Sequence, residues 1–332
     1  MRAVIGLAVA ALLAGCQSRQ SALDVHAPQG IEIKDLFLIF VAVAAVVWTG
    51  VVGALLAALV RSRSPRRHPL DTDTASEQRA GVTVFVCTLA TVATVLALSF
   101  LSYLAQDIVF AKSHDPLNVE VIGHQWWWEV KYEGASPDQA FTTANEIRVP
   151  VGVPVRARLE TRDVIHSFWV PSLNGKMDLI NGQTNETELR AERPGIYRGQ
   201  CAEFCGLQHA LMGFEVVALP RDEYETWRAR QVKAAHVTAD PTFMRGELLF
   251  RSRGCAICHT VRGTSAGGKV GPDLTHVGSR RTIGAATLPM TPGNLGGWIA
   301  DPQHIKPGNK MPVVPLNPQD LNTLVTYLEA LK

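Results

Sequence analysis

Two stretches of 25 residues without a single charge, Leu36 to Val60 and Gly81 to Ala105, limit what this chain can become before anything else does. Each is long enough to cross the roughly 30 Å hydrocarbon core of a bilayer as a helix. Ala, Gly and Thr recur in both, which lets two such helices pack closely as a transmembrane hairpin. Arg61, Arg63, Arg66, Arg67 and Arg79 crowd the short connection between them. That charge keeps the connection on the cytoplasmic side and sends both flanking segments outward. The N-terminus points the same way: Arg2, an apolar run and then Leu-Ala-Gly-Cys16 have the form of a secretory signal over residues 1–15. The cysteine gives it the lipoprotein type, with cleavage before Cys16 and a lipidated N-terminus; an ordinary signal with an incidental cysteine is the alternative. At 47% hydrophobic and 19% charged residues, the whole chain sits between soluble and membrane averages. No basic patch with interleaved aromatics speaks for a nucleic-acid partner.

After Asp107 the texture changes to short alternating stretches separated by Gly and Pro turns, among them 118–122, 146–149, 153–160, 186–189 and 214–219. Strands of that length argue for an antiparallel sandwich or barrel over residues 108–235. Arg221 to Ala234 reads as a closing helix with Tyr224 and Trp227 on one face, followed by a short linker from His236 to Pro241. In Gly123-His-Gln-Trp-Trp-Trp128, successive side chains of a strand alternate between faces. Three aromatics therefore cannot all enter one core, and Trp126 or Trp127 is left for a functional role.

Within this region Cys201-Ala-Glu-Phe-Cys-Gly-Leu-Gln-His-Ala-Leu-Met212 concentrates two cysteines, a histidine, a glutamate and a methionine. Thiolate, thioether and imidazole together suit copper. A structural zinc site would show a second close cysteine pair. A disulfide from Cys201 to Cys205 is the plainer alternative, and it leaves His209 and Met212 unexplained. One cysteine and two histidines make a mononuclear blue-copper site, so two cysteines suggest two bridged metals.

These residues resemble the binuclear copper loop of cytochrome c oxidase subunit II, and Asp163-Val-Ile-His-Ser-Phe-Trp-Val-Pro-Ser172 resembles the strand that supplies its remaining histidine. The resemblance implies a cupredoxin-like Greek key holding two copper ions. Cys201 and Cys205 would bridge them, His166 and His209 would each bind one, Met212 would be a weak ligand and Glu203 would offer its backbone carbonyl. It also makes Trp126 the surface point at which electrons are received, with Trp127 beside it, and Glu77 the nearest match to a carboxylate that admits protons to the catalytic subunit. Taken alone, Glu77 reads equally well as a solvated loop charge. Asn181 and Gln183 depart from the proline and arginine usual in the family there, which leaves open the contact with the catalytic subunit. Met177 reads as packing rather than as a ligand, and Cys87, inside the second span, as a small hydrophobe.

A second redox motif follows. Cys255-Ala-Ile-Cys-His259 has the attachment signature of a covalently bound c-type haem, with His259 as proximal ligand. Phe243, Gly246 and Phe250 align on a preceding helix. Lys310-Met-Pro312 resembles the axial methionine loop of small bacterial cytochromes c, implying Met311 as sixth ligand, with Met290, His276 and His304 as competitors. Asn317 and Pro318 open a last helix, with Leu321, Leu324, Val325, Leu328 and Leu331 at helical spacing. Residues 240–332 thus read as an all-α cytochrome c domain with ten basic against six acidic residues, which provides no acidic dock for a cationic donor.

The expectation is a multidomain membrane protein resembling caa-type subunit II: residues 16–107 with spans at about 36–60 and 81–105, a copper domain and a fused haem domain. By the same resemblance it belongs to the bacterial inner membrane, multi-pass, with both redox domains on the periplasmic side. Its implied partners are a catalytic subunit I, a subunit III, membrane lipid and a donor such as a cytochrome c or a quinol–cytochrome c reductase. Oxygen reduction and proton pumping would lie in the partner. Fusing donor to acceptor turns a bimolecular encounter into an intramolecular one. The corresponding electron-entry subunit of a nitric oxide reductase or other terminal reductase is the alternative. A copper-delivery protein shares the Cys-x-x-x-Cys pair, but two spans, His209, Met212 and the haem motif argue against it.

Overall fold

A computed structural model describes residues 20–61, 74–236 and 239–332. The signal-type segment, Cys16, and Arg63, Arg66 and Arg67 lie outside the described residues. The two uncharged runs form the centres of longer helices, α1 (Pro28–Arg61) and α2 (Thr74–Val109), of 34 and 36 residues. At 1.5 Å per residue each reaches about 50 Å, more than a bilayer core requires. In both, no residue of the most apolar window is buried, as suits helices whose solvent is lipid. The hydroxyls of Thr83, Thr88, Thr91 and Thr94 donate to the carbonyl four residues back at 2.8–2.9 Å, so these four have partners within their own helix. Residues 31–111 form one compact unit; the segment up to Gly30 and Lys112–Lys332 form another.

In that second unit, ten strands build two facing sheets: β1 (Leu117–His124), β2 (Trp127–Tyr132), β3 (Phe141–Ala144), β4 (Glu146–Pro150), β5 (Val155–Thr161), β6 (His166–Trp169), β7 (Met177–Leu179), β8 (Asn185–Leu189), β9 (Gly195–Cys201) and β10 (Gly213–Leu219). One sheet has the order β3-β2-β1-β5-β8, the other β4-β10-β9-β6-β7. The expected sandwich is present. Two ladders, β1 with β5 and β4 with β10, run parallel, because the chain crosses to the opposite sheet between their members. Alternation sends Trp128, Val130 and Tyr132 of β2 inward. Beneath one end of the sandwich Phe168 stacks on Phe214 at 4.6 Å, and Trp128 meets Phe214 edge-on at 5.2 Å.

The helix α3 (Arg221–Val232) caps the far end, with Tyr224 and Trp227 buried as expected and Trp227 edge-on to Tyr132 and Phe141. The stretch before α1 was not foreseen as part of the sandwich. His26 N–H donates to Ser172 O at 2.8 Å, Glu192 N–H donates to His26 O at 2.9 Å, and Ala27 is fully buried in the sandwich core.

The C-terminal domain is helical, built from α4 (Pro241–Ser252), α5 (Cys255–Cys258), α6 (Pro292–Ala300), α7 (Pro302–Ile305) and α8 (Pro318–Ala330). Side-chain caps start four of them: Asp240 for α4, Thr291 for α6, Asp301 for α7 and Asn317 for α8, satisfying amides that have no partner inside a helix. Helices α4 and α8 cross at Gly246, where a Cβ would lie 2.4 Å from Tyr327 Cβ. Only glycine permits that approach. Arg245 and Arg253 both reach the buried Asp320 across the same crossing, at 3.4 and 2.9 Å.

Candidate copper and haem sites

The sulfur-rich loop joins β9 to β10 and is held from several sides. Its two ends meet where Cys201 N–H donates to Met212 O at 3.0 Å, and Ala202 N–H donates to Ser167 O of β6 at 3.0 Å. Gln200 Nε2 donates to the carbonyls of His209 and Ala210 at 3.1 and 3.2 Å. Gln125 Nε2 and Trp126 Nε1 both donate to Cys205 O, at 2.8 and 2.9 Å. A loop pinned at so many carbonyls presents its side chains in one arrangement.

That arrangement is a paired donor set. Cys201 Sγ lies 3.8 Å from Cys205 Sγ, too far for a disulfide. Cys201 Sγ is 3.8 Å from His166 Nδ1 and 3.3 Å from Glu203 O; Cys205 Sγ is 3.7 Å from both His209 Nδ1 and Met212 Sδ. Each sulfur therefore has its own imidazole and its own weaker donor. Donors about 2.0–2.3 Å from a shared tetrahedral ion stand about 3.3–3.8 Å apart, so the residues fit metal on geometry. The soft chemistry of the set fits copper. His166, Cys201 and Cys205 are all buried. The two thiols titrate as one unit. Cys201 goes down because the Cys205 thiol donates to it, with His166 and the loop amides adding to the effect, and Cys205 goes up for the same reason and through burial.

Two features needed for His166 were not singled out from sequence. A Cβ at Gly123 would lie 2.7 Å from the His166 ring, so glycine makes room for the imidazole. Asp163 Oδ1 accepts from His166 Nε2 at 2.9 Å, which turns Nδ1 toward Cys201. Burial alone would raise the Asp163 carboxyl. The His166 contact and the N–H groups of Gln125 and Val164 outweigh it and hold the group down at about 2. Burial opposes the protonated imidazole of His166, and Asp163 and Cys201 more than compensate, raising it. The sequence signal was available in Asp163, three residues before the histidine. Asn181, one of the departures from the family pattern, donates from Nδ2 to Asp163 O at 2.6 Å and so braces this turn; Gln183 only closes a turn on Ile180.

Of the three tryptophans, Trp128 is buried under the loop while Trp126 and Trp127 are half-buried. Trp127 stacks on His124 at 4.3 Å, away from the sulfur loop. Trp126 bonds to that loop from its half-buried position, Trp128 reaches it from below through Nε1 to Met212 O at 3.5 Å, and Lys310 Nζ stands 6.0 Å from the Trp126 ring centre. Met177 packs partly buried against the core. Glu77 lies exposed in the first turn of α2, and Cys87 is exposed on the same helix.

In the C-terminal domain Cys255 and Cys258 occupy one turn of helix, after Gly254 in the left-handed region at φ 82°. His259 Nδ1 lies 2.7 Å from Pro272 O. Donation there assigns the ring proton to Nδ1 and leaves Nε2 as the ligating nitrogen. Burial also lowers the His259 pKa, favouring the neutral, ligating imidazole. The residues present fit a haem attached in this way. Met311 is half-buried in a loop held by Asn309 Oδ1, which accepts from its N–H at 2.8 Å, and by Gln303 Nε2, which donates to its carbonyl at 2.9 Å. Its competitor His276 is buried with Nε2 3.0 Å from Lys233 O, and His304 is exposed.

Two long apolar helices, a cupredoxin-like sandwich with a buried sulfur–imidazole cluster and a helical domain with the haem-attachment turn define a membrane-anchored electron-transfer protein. The cytochrome c oxidase subunit 2 of Alkalihalophilus pseudofirmus is 36% identical over 332 residues, spanning 96% of this chain and 94% of the relative. The chain belongs to the cytochrome c oxidase subunit 2 family, in the arrangement that carries its own cytochrome c domain. Residues 133–219 match the family described as cytochrome C oxidase subunit II, periplasmic domain, and residues 243–332 match cytochrome c. The subunit 2 of Bacillus subtilis is 34% identical over 233 residues, covering 67% of this chain and 64% of that one. The crystal structure of the periplasmic domain of subunit II of cytochrome oxidase from Bradyrhizobium japonicum is 30% identical and covers 35% of this chain and 92% of that one, with a TM-score of 0.33. The chain is thus part of a haem–copper oxidoreductase, working with a catalytic subunit and an electron donor, and copper and haem are the cofactors of its two redox domains.

Proposed function

We propose that this subunit receives electrons from a donor at its C-terminal domain and delivers them to the catalytic subunit of an oxygen-reducing, proton-pumping oxidase. The proposed domains are 16–107, 108–235 and 240–332. Helices α1 and α2 are a two-span hairpin with both redox domains on the periplasmic side, residues 1–15 are a lipoprotein-type signal, and subunit III and lipid are further partners. When bound, a covalent haem c and a pair of copper ions each take up and release one electron at a time.

The chain's own residues hold and insulate those groups. His166, Cys201, Cys205, His209, Met212 and the carbonyl of Glu203 are the copper ligands; Cys255, Cys258, His259 and Met311 hold the haem. Trp128, Phe168 and Phe214 keep water from the inner side of the copper loop. Asp163 orients His166. Trp126, bonded to Cys205 O and lying under Lys310, is the side chain across which electrons reach the copper loop, with Trp127 beside it. Glu77 stands at the cytoplasmic start of α2 to admit protons to the partner.

The observation that carries this reading is the symmetry of the donor set, one imidazole within 3.8 Å of each of two sulfurs that are themselves 3.8 Å apart. Optical and EPR spectroscopy of the full chain, matured with haem and loaded with copper, tests it. A c-type haem spectrum together with a mixed-valence signal delocalised over two coppers is expected. Mononuclear copper alone would overturn the binuclear centre and leave a membrane-tethered cytochrome c.

A further inference from the structure

The junction between the two redox domains is built like a protein interior. Arg281 reaches from the helical domain between two buried carboxylates of the sandwich: its N–H donates to Glu146 Oε2 at 2.9 Å and its Nε to Glu215 Oε2 at 3.2 Å. Arg148 Nε holds the other Glu146 oxygen at 2.7 Å. Gly213 N–H donates to Ala285 O at 3.1 Å, Arg198 Nη1 donates to Ala286 O at 2.9 Å, and Gln208 Nε2 donates to Pro307 O. Without Arg281 the buried Glu215 would lose its cation, which is costly, and Glu146 would keep Arg148 but lose the Arg281 N–H, so the sandwich surface is shaped for a permanent neighbour.

The most demanding member of this junction is Lys306, which is only 2% exposed. Its Nζ lies 2.9 Å from Leu211 O, 3.2 Å from Gly284 O and 3.3 Å from Trp126 O. An ammonium has three N–H donors and no acceptor, and here three carbonyls converge on it. Two of them belong to the sandwich, one beside Met212 and one on Trp126; the third belongs to the helical domain. Lysine is almost never fully buried without such partners. Lys306 opens the same loop that carries Met311, and Lys310 of that loop stands 3.7 Å from Asp163.

We propose that Lys306 is a positioning residue that seats the haem-bearing domain on the copper loop, gripping the Trp126 and Leu211 carbonyls so that the Met311 loop keeps a fixed register with the sulfur loop. The haem domain is then a docked relay, not a carrier swinging on the 236–241 linker. The assignment of the two loops to haem and copper rests on the function proposed above; the grip itself is independent of it.

The test is hydrogen exchange read by mass spectrometry on the full chain in detergent, comparing peptides over 208–216 and 280–287 with one over α8. Both junction peptides are expected to be protected in the unaltered chain. Lys306→Met keeps the length of the side chain without its donors; Lys306→Gln keeps donors but is too short to span both domains. Each is expected to speed exchange in both junction peptides by at least about tenfold while α8 keeps its protection. If Lys306→Met stays as protected as the unaltered chain, the side chain only fills space and the proposal fails. It fails equally if Lys306→Gln stays protected, or if the junction peptides of the unaltered chain exchange as freely as exposed amides. None of these readouts needs bound metal, so a missing mixed-valence signal would sink the proposed function and leave this test standing.

Discussion

Replacing Asp163 by Asn tests how the copper loop is organised without touching any of its ligands. The carboxylate accepts three hydrogen bonds: Oδ1 from His166 Nε2 at 2.9 Å and Val164 N–H at 2.8 Å, and Oδ2 from Gln125 N–H at 2.7 Å, with Lys310 Nζ a further 3.7 Å away. Asparagine has the same shape but can accept at one oxygen only. Whichever way the amide turns, its NH2 faces a donor: Gln125 and Lys310 in one orientation, His166 and Val164 in the other. Leaving such a donor unmatched costs about 1–3 kcal/mol, and loss of a charged partner behind a metal-ligating histidine typically costs about 10–100-fold in metal affinity. The two figures agree, since tenfold is about 1.4 kcal/mol. Copper affinity measured by chelator competition on the full chain should therefore fall about 10–100-fold in Asp163→Asn. The Asp163 carboxyl is held down at about 2 and stays ionised from pH 6 to pH 8, but it also raises His166, so the loss should be smaller at pH 6, where protons compete for the imidazole of the unaltered chain, than at pH 8. An affinity within twofold of the unaltered protein would refute the reasoning and show that packing alone orients His166.

Gly246→Ala places a Cβ 2.4 Å from Tyr327 Cβ and 3.1 Å from Thr323 O. The overpacking cost of about 1–3 kcal/mol exceeds the gain of up to about 1 kcal/mol in helix propensity, so the haem domain should melt several degrees lower by calorimetry. An unchanged or raised Tm would contradict the helix crossing. Met311→His should lower the haem reduction potential in a spectroelectrochemical titration, because a methionine ligand raises it; an unmoved potential would remove Met311 from the site. Burial holds Lys306 down at about 8, below an ordinary lysine near 10.4. Between those values the unfolded chain binds more protons than the folded one, so stability should rise with pH, by up to about 3 kcal/mol by pH 10.5. The difference in urea stability between the unaltered chain and Lys306→Met, followed from pH 7.5 to 9.5, isolates this change from the tyrosines; a flat difference would show that Lys306 is solvated.

The spans, the sulfur loop and the haem turn could be read directly because each is a local code. Twenty-five uncharged residues suffice to specify a membrane helix, and ligands spaced three or four residues apart within one loop or turn are brought together by that element alone. The alternation in 153–160 and 214–219 likewise marked β5 and β10, and Tyr224 and Trp227 marked the inner face of α3. The strands of 127–132 and 195–201 were less legible, since β9 carries Arg198 and Gln200 among its core residues and draws its stability from β6 and β10 on either side. His166 was placed at the site by resemblance; only the folded sheet shows that Gly123 opens space for its ring and that Asp163 turns it. Nothing local marks residues 21–27 as part of the sandwich, or Lys306 as anything but a solvated charge ahead of a proline. Those roles exist only where segments far apart in the chain leave carbonyls pointing into a shared, water-free space, and burial changes what a lysine or an aspartate is worth there. The sequence by itself determined the soft donor chemistry of the sulfur loop and the hydrophobic length of the two helices, because each of these belongs to contiguous residues. Tertiary structure alone decided how the two redox domains meet, because that register depends on packing between surfaces that no stretch of sequence contains.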